Sequence, residues 1–358
     1  LSCNLGRWCV ILLARTAARS QACVCYGYDR IPHLGEKTHG GIVKFQHLQA
    51  DFPNSPRRFN VLYMVSSRMP ADWSQLLWLA RRKKAKFLWN QNGVAYPGWH
   101  GPGWEKSNQP MATLLHAADY VFYQSQFCKV SADRFLGKRP RRWEILYNAV
   151  DTARFVPAAA DPDPHHLVLL LGGTQYQYYR LETALRTLAA IAKIRPDARL
   201  LVTGRLCWIA DETAAHQVAQ QLLIELGIAD RVILLGPYTQ QDAPFIFQKA
   251  HLLLHTKYHD PCPGLVLEAM ACGLPVVYSQ SGGVPELVGQ RAGVGIPTPI
   301  SWEQDFPPDP QALAEGVLQV AEQRQEYAEA ARQRAVDKFD LSFWQQRHRD
   351  VFEELLAG

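Results

Sequence analysis

Short apolar runs bounded by turn residues alternate with helix-period segments along nearly the whole chain, and no other feature constrains the fold as tightly. This is the pattern of parallel sheets with crossover helices, so the fold class is α/β. In the first half the strand-like runs are ACVCYGY (22–28), NVLYMVS (60–66), AKFLWN (85–90), YVFYQS (120–125) and WEILYN (143–148), with helical stretches near 41–51, 72–83, 108–118 and 126–136. A second series runs LVLLLGG (167–173), ARLLVTG (198–204), RVILLG (231–236), HLLLHT (251–256) and PVVYS (275–279), with helices near 180–193, 211–226, 240–249 and 264–272.

Between the two series lies VPAAADPDPHH (156–166), whose prolines lack backbone donors and resist helix and central strand alike, so it reads as a linker. The chain of 358 residues is long enough for two domains with their own cores. The organisation expected is an extension or helix at 1–20, a Rossmann-like domain at 21–157, a second at 158–340, and a terminal amphipathic helix at 341–358 with Phe343, Trp344, Val351, Phe352 and Leu355 on its apolar face. Two such domains facing a cleft place a ligand at the carboxyl ends of the strands.

With 47% hydrophobic and 20% charged residues the composition is that of a globular protein and excludes general disorder. The eight cysteines (3, 9, 23, 25, 128, 207, 262, 272) include no CxxC pair, and reduced thiols in a cytoplasmic protein are expected. The apolar run from Trp8 to Ala14 is too short to span a bilayer, and because the first residue is Leu a start further upstream is expected. Charge is asymmetric: residues 1–157 hold 22 Lys/Arg against 9 Asp/Glu, and residues 158–358 hold 16 against 24. The clusters RRKKAK (81–86) and KRPRRW (138–143) suit an anionic lipid surface or another polyanion, or are simply solvated helix ends and loops.

The chemistry concentrates in HDPCPGLVLEAMACGLPVVYSQSGGVPELVG (259–289). A helix is expected to begin near Gly264 after the Pro-Cys-Pro turn and to stop at Gly273. Its unpaired N–H groups and positive dipole end suit a diphosphate, Gly264 lets that ligand approach the backbone, and Glu268 one turn in can accept hydrogen bonds from ribose hydroxyls. Asp260 sits on the loop before it. A first-turn acid and a turn aspartate would also be ordinary structural choices here. A second glycine-rich turn, Gly282-Gly283 before Pro285, follows the next strand.

These residues resemble the signature of the family 4 retaining glycosyltransferases of the GT-B fold, whose usual form is Glu-Gly-Phe-Gly, an aliphatic stretch, Glu-Ala-Met-Ala-Cys-Gly-Leu-Pro-Val-Val and then Gly-Gly-Val-Pro-Glu. ILYNAVDTARFVP (145–157), HGGIVKFQHL (39–48) and ADYVFYQSQF (118–127) resemble further family segments, so the likeness covers about residues 25–290. It implies two Rossmann-like domains, a terminal helix crossing back to the first, and transfer of a sugar from a nucleotide-diphosphate sugar to an acceptor hydroxyl with retention, without a required metal or cofactor. By position, Glu268 is expected to hold the ribose, Gly264 and Leu265 to meet the diphosphate, and Asp260 to face the transferred sugar. Gly173 and Thr174 stand on the loop after the second domain's first strand, Pro237 and Tyr238 where the base should rest, and Gly40 and Gly41 on a first-domain loop near donor phosphates or acceptor.

Three departures from the family pattern stand out. Asp260 replaces a Glu, one methylene shorter. The Arg and Lys that usually follow the second domain's first strand are replaced by Thr174 and Tyr179, so Arg180, Arg205 or Lys257 must neutralise the leaving diphosphate, Arg180 first because a planar bidentate donor suits phosphate. The usual His-Gly is Asn92-Gly93, and His100, beside Trp99 and Trp104, is an alternative in an aromatic loop suited to sugar stacking. A metal site at His255, His259, Asp260 and Cys262 is set aside, because strand and loop geometry is expected to scatter them.

The expected catalytic set is Asp260, Arg180 and Asn92. The expected partners are a nucleotide-sugar donor and a glycan or lipid-linked acceptor of the cell envelope, with peripheral attachment to the inner face of an anionic membrane and no nucleic acid. A nucleotide-sugar epimerase on the same fold and a non-catalytic nucleotide-sugar-binding protein stay open as alternatives.

Overall fold

A computed structural model describes residues 15–16, 21–38 and 40–358. Most of the expected N-terminal extension, and His39, lie outside these residues. The chain divides into two compact units: one runs to Asn148 and takes back Leu341–Gly358, and the other is Ala149–Asp340.

In the first unit β1 (Arg15–Thr16) pairs with β3 (Arg58–Phe59) in a short parallel ladder. The main sheet has five parallel strands in chain order: β2 (Val24–Cys25), β4 (Val61–Val65), β5 (Lys86–Gln91), β6 (Tyr120–Tyr123) and β7 (Trp143–Ile145). Between them lie α1 (Gly40–Leu48), α2 (Trp73–Arg82), α3 (Pro97–His100), α4 (Trp104–Ala117) and α5 (Gln126–Phe135). Side chains of a strand alternate between faces. Leu62, Met64, Phe87, Trp89, Val121 and Tyr123 form one core with Leu76 and Leu79 of α2, Leu114 and Leu115 of α4 and Cys128 of α5.

On the other face Tyr63 meets Phe45 of α1, both Tyr63 and Phe122 meet His348 of the last helix (Leu341–Ala357), and Phe352 of that helix also meets Tyr63. That helix therefore crosses back to the first unit, as the resemblance implies. Beneath it a fully buried polar chain runs across three strands. Gln124 Nε2 donates to Asn90 Oδ1 at 2.5 Å, Asn90 Nδ2 donates to Tyr63 Oη at 3.1 Å, Tyr63 Oη lies 3.0 Å from His348 Nε2, and His348 Nδ1 lies 2.8 Å from the Trp344 carbonyl. Where the periodicity predicts a helix from 108, α4 starts at Trp104 and continues through Pro110, whose missing N–H leaves the Lys106 carbonyl without a helical donor.

The second unit carries six parallel strands: β8 (Val168–Leu171), β9 (Arg199–Thr203), β10 (Val232–Gly236), β11 (Leu252–His255), β12 (Val276–Ser279) and β13 (Gly293–Ile296). Its helices are α6 (Tyr178–Ala192), α7 (Glu212–Glu225), α8 (Ala243–Phe247), α9 (Gly264–Ala271), α10 (Val284–Val288), α11 (Pro310–Glu322) and α12 (Arg324–Phe339), and the returning last helix is α13. The spatial order is β10-β9-β8-β11-β12-β13, the doubly wound 3-2-1-4-5-6 arrangement. The order reverses between β8 and β11, the switch point at which a doubly wound sheet ordinarily binds its ligand.

β13, α11 and α12 lie beyond the elements expected from the sequence. β13 is hidden by its glycines, which the packing requires: a Cβ at Gly293 would lie 1.9 Å from the Val276 carbonyl oxygen, and one at Gly295 would lie 3.0 Å from the Tyr278 ring. The stretch expected as a linker is tied to the second unit, with Gln248 Nε2 donating to the Val156 carbonyl at 3.0 Å and Asp161 on His251 and Arg324. The described cysteines form no disulfide. No helix of the described residues is long and apolar enough to cross a membrane.

Candidate functional site

Three loops meet at the switch point of the second sheet. The first follows β8 through Gly172 and Gly173, the second follows β9 at Gly204, and the third follows β11 from Thr256 to α9. They approach closely enough to exclude side chains. A Cβ at Gly204 (φ 88°) would lie 2.2 Å from the Gly173 carbonyl oxygen, and one at Gly172 would lie 2.5 Å from Leu265 Cδ1. Leu265 of α9 thus packs directly onto the β8 loop. A Cβ at Gly264 would meet nothing within 4 Å, so space is open before the first turn of α9, which no side chain caps. Uncapped amides at a helix start, facing open space, can take an anion.

Beside this opening lies a charged cluster. Lys257 Nζ is 3.1 Å from Asp260 Oδ1, and His255 Nε2, with no hydrogen-bond partner of its own among the described residues, lies obliquely 3.2 Å from Oδ2. Burial by itself would raise the Asp260 carboxyl, but Lys257, His255 and Arg180 outweigh it and hold the group ionised well below the usual carboxylate range. Burial lowers the His255 pKa, while Asp260 pulls it the other way. The expectation that loop geometry would scatter the four candidate metal ligands fails for His255 and Asp260. His259 adopts a left-handed φ of 47°, folding the loop back so that Asp260 returns to the end of β11. Its own ring stacks on Tyr258 at 3.9 Å, and burial pushes its pKa down to about 4. No group of three or more His, Cys, Asp or Glu able to hold a metal occurs among the described residues.

The second glycine-rich turn fixes Asp260 from behind. Gly283 N donates to the Asp260 carbonyl at 2.9 Å, and a Cβ at Gly282 (φ 68°) would lie 2.5 Å from that oxygen. Arg180, in the first turn of α6, is buried, with Nη1 donating to the Thr174 carbonyl at 2.5 Å and Nη2 to the Gly172 carbonyl at 3.4 Å. Burial lowers its pKa against the field of Asp260, and Nε has no partner among the described residues.

Glu268 is buried one turn into α9, where Gln240 Nε2 donates to its Oε1 at 3.0 Å and Arg154 Nη2 holds the Gln240 carbonyl at 2.5 Å. Burial raises its pKa, opposed by Gln240 and Arg154. A buried, partly satisfied carboxyl keeps acceptor capacity for hydroxyl donors. Pro237 and Tyr238 lie on the same loop as Gln240, and burial beside Glu268 raises the Tyr238 hydroxyl.

Of the expected residues, the fold thus brings together Gly173, Thr174, Arg180, Lys257, Asp260, Gly264 and Leu265, with Glu268 and Tyr238 joined through the β10 loop. Arg205 is exposed and pairs with Glu212 at 3.6 Å. In the first unit Asn92 shapes its own turn, its Oδ1 accepting from Gly93 N at 2.8 Å while its N donates to Ser66 Oγ at 2.8 Å. His100, exposed on α3, lies 2.8 Å from Ser107 Oγ, and Gly40 and Gly41 open α1. His255, Gln240 and Arg154 were not among the site residues expected from sequence. Gln240 lies two positions after Tyr238, one of the residues expected beside the base, whereas nothing local in the sequence links Arg154 to it.

The family model described as glycosyl transferases group 1 matches residues 161–337. Among curated relatives, a D-inositol 3-phosphate glycosyltransferase of Salinispora tropica is 30% identical over 188 residues, covering 47% of this chain and 38% of the relative. A protein of the same name from Mycobacteroides abscessus is 32% identical over 169 residues, covering 44% and 36%. The match thus spans well under half the length of these relatives. Among solved structures, Anabaena HepE in complex with UDP-glucose superposes with a TM-score of 0.68 at 19% identity, covering 83% of this chain and 79% of that one. The sucrose-phosphate synthase of Thermosynechococcus elongatus gives 0.68 at 18%, covering 87% and 76%. Residues 161–337 thus match the glycosyl transferases group 1 family, and the chain has the α/β fold of GT-B glycosyltransferases.

Proposed function

We propose that the protein transfers a sugar from a nucleotide-diphosphate sugar to an acceptor hydroxyl, with retention of anomeric configuration and without a metal or other cofactor. The observation that carries this reading is the opening before α9 at the switch point of a doubly wound sheet, with Glu268 buried one turn in. The diphosphate would lie against the first-turn amides at Gly264 and Leu265 and the Gly172-Gly173 loop, the ribose hydroxyls on Glu268, and the base beside Pro237 and Tyr238. As the bond from the sugar's anomeric carbon to the phosphate oxygen breaks, the growing negative charge on the diphosphate would be met by helix amides and a cation. The acceptor oxygen would bond to the same face of the sugar, its proton passing to the departing phosphate.

The basic clusters of the first unit support an acceptor that is anionic or lies at a membrane surface, such as a cell-envelope glycan or lipid-linked sugar, with the protein in the cytoplasm and peripheral on the membrane's inner face. Anionic vesicles at low salt should then retain it. The donor-site assignment is tested by titrating UDP, GDP and ADP, and their sugars, into the wild type, Glu268→Ala and Arg180→Ala. Weaker binding in both variants is expected, and unchanged affinity in both would sink the assignment. Incubation with donor alone separates transfer from epimerisation, because only an epimerase makes a new sugar isomer without acceptor.

A further inference from the structure

The cluster at the end of β11 distributes its charges in a way that the motif's ordinary reading does not require. Three cations stand near enough in sequence to serve the diphosphate, and the structure separates them. Arg180 is buried with two of its nitrogens on the carbonyls of Gly172 and Thr174, so much of its hydrogen-bonding capacity holds the β8 loop in shape. Arg205 points to solvent and pairs with Glu212. Lys257 keeps 28% of its side chain exposed while Asp260, its partner, exposes 12%. The acid is therefore the covered member of the pair and the ammonium the presented one. Asp260 is also the more constrained, with His255 against Oδ2, Lys257 on Oδ1, and its backbone clamped by Gly282 and Gly283.

We propose that Lys257 supplies the cation that contacts the donor diphosphate, and that Asp260 is a positioning residue that aims it, braced by His255. The inference rests on the donor-site reading above and changes the part played within it by the motif's first acid. A lysine ammonium carries three donors. With one on Asp260, two remain for phosphate oxygens. The shortened acid fits this role: the loop that turns back at His259 brings the carboxylate onto the end of its own strand, over His255 and Lys257.

The test measures binding of UDP, GDP and ADP, and of the corresponding nucleosides, to the wild type, Lys257→Gln, Lys257→Arg, Asp260→Asn and the double variant Lys257→Gln/Asp260→Asn. Thermal unfolding is followed on each to establish that it folds. For the diphosphate that the wild type binds, Lys257→Gln is expected to weaken affinity about tenfold while the nucleoside is held as before, because a hydrogen bond to a charged group contributes about 1.5 kcal/mol or more. Lys257→Arg should restore part of the loss. Asp260→Asn should also weaken the diphosphate, and the double variant should be no worse than Lys257→Gln alone, since the acid acts through the lysine.

Opposite outcomes are clear. If Asp260 acts only as a negative charge near an anion, Asp260→Asn tightens diphosphate binding, and the proposal fails. Additive losses in the double variant, or unchanged binding by folded Lys257→Gln, overturn it equally. If the wild type binds none of the three diphosphates, the donor-site reading falls first and takes this inference with it.

Discussion

Lowering the pH should loosen the first unit through one residue, His348. Its imidazole is fully buried in α13, and burial pushes its pKa down to about 3. The Trp344 carbonyl favours the protonated ring, whereas the Arg347 charge and the Tyr63 hydroxyl oppose it. With Nδ1–H donating to the Trp344 carbonyl, Nε2 must accept from the Tyr63 hydroxyl, which itself accepts from Asn90. A second proton on the ring would face a hydroxyl already donating to it. In the unfolded chain the same histidine titrates near 6.5, so as pH falls the unfolded state takes up the proton first. Stability from this group is complete above about pH 6.5 and is lost progressively as pH falls towards the folded value of about 3. At pH 5.5, about one unit below the unfolded pKa, the loss is about 1 kcal/mol, and at pH 4.5 it reaches about 3 kcal/mol.

Urea unfolding of the wild type and of His348→Gln at pH 7.5 and 5.5, followed by circular dichroism and tryptophan fluorescence, isolates the contribution. The variant is less stable at both pH values, but its change between them should be smaller than the wild type's by about 1 kcal/mol. The buried histidines of the second unit are common to both proteins and cancel in the difference. Equal pH dependence in the two proteins would refute the argument that His348 is held neutral.

Further outcomes follow from the packing. Gly204→Ala drives a methyl into the Gly173 carbonyl at a left-handed φ and should cost about 3 kcal/mol or more, whereas Gly172→Ala meets the movable end of Leu265 and should cost about 1–2 kcal/mol; thermal and urea unfolding will rank them. Gly282→Ala should shift the Asp260 backbone and weaken diphosphate binding in titrations while the circular dichroism stays native, and unaltered affinity would separate that turn from the site. Phe352→Ala, at a buried position edge-on to Phe52, should destabilise the first unit by about 3–5 kcal/mol in the same unfolding assay.

Most strands were legible because their residues are apolar without interruption, as strands covered on both faces must be. β13 was not, since the close approach of Gly293 to Val276 demanded residues that look like a loop. The site divided in the same way. Glu268 and Gly264 could be placed at the start of α9 from the sequence pattern alone, because that placement follows from local backbone geometry. The pairing of Asp260 with Lys257 and His255 could not, because it depends on one left-handed residue, His259, that reverses the loop. Arg154 was invisible for a different reason: it reaches the site through a contact 86 positions away in sequence.

The return of α13 to the first unit has a consequence for how the protein is made. The second unit is an insertion in the first, and the two points where the chain enters and leaves it adjoin, Val150 bridging to Asp340 and Thr152 bonding that same aspartate. During synthesis the strands carrying Tyr63 and Phe122 leave the ribosome early, yet the 17-residue helix that covers them is translated only after the whole insertion. The first unit's sheet must therefore wait for a helix translated after the whole second unit, with an aromatic face exposed meanwhile. A chaperone would have that interval in which to bind, and a ribosome stalled before residue 341 would hold a finished second unit attached to an unfinished first.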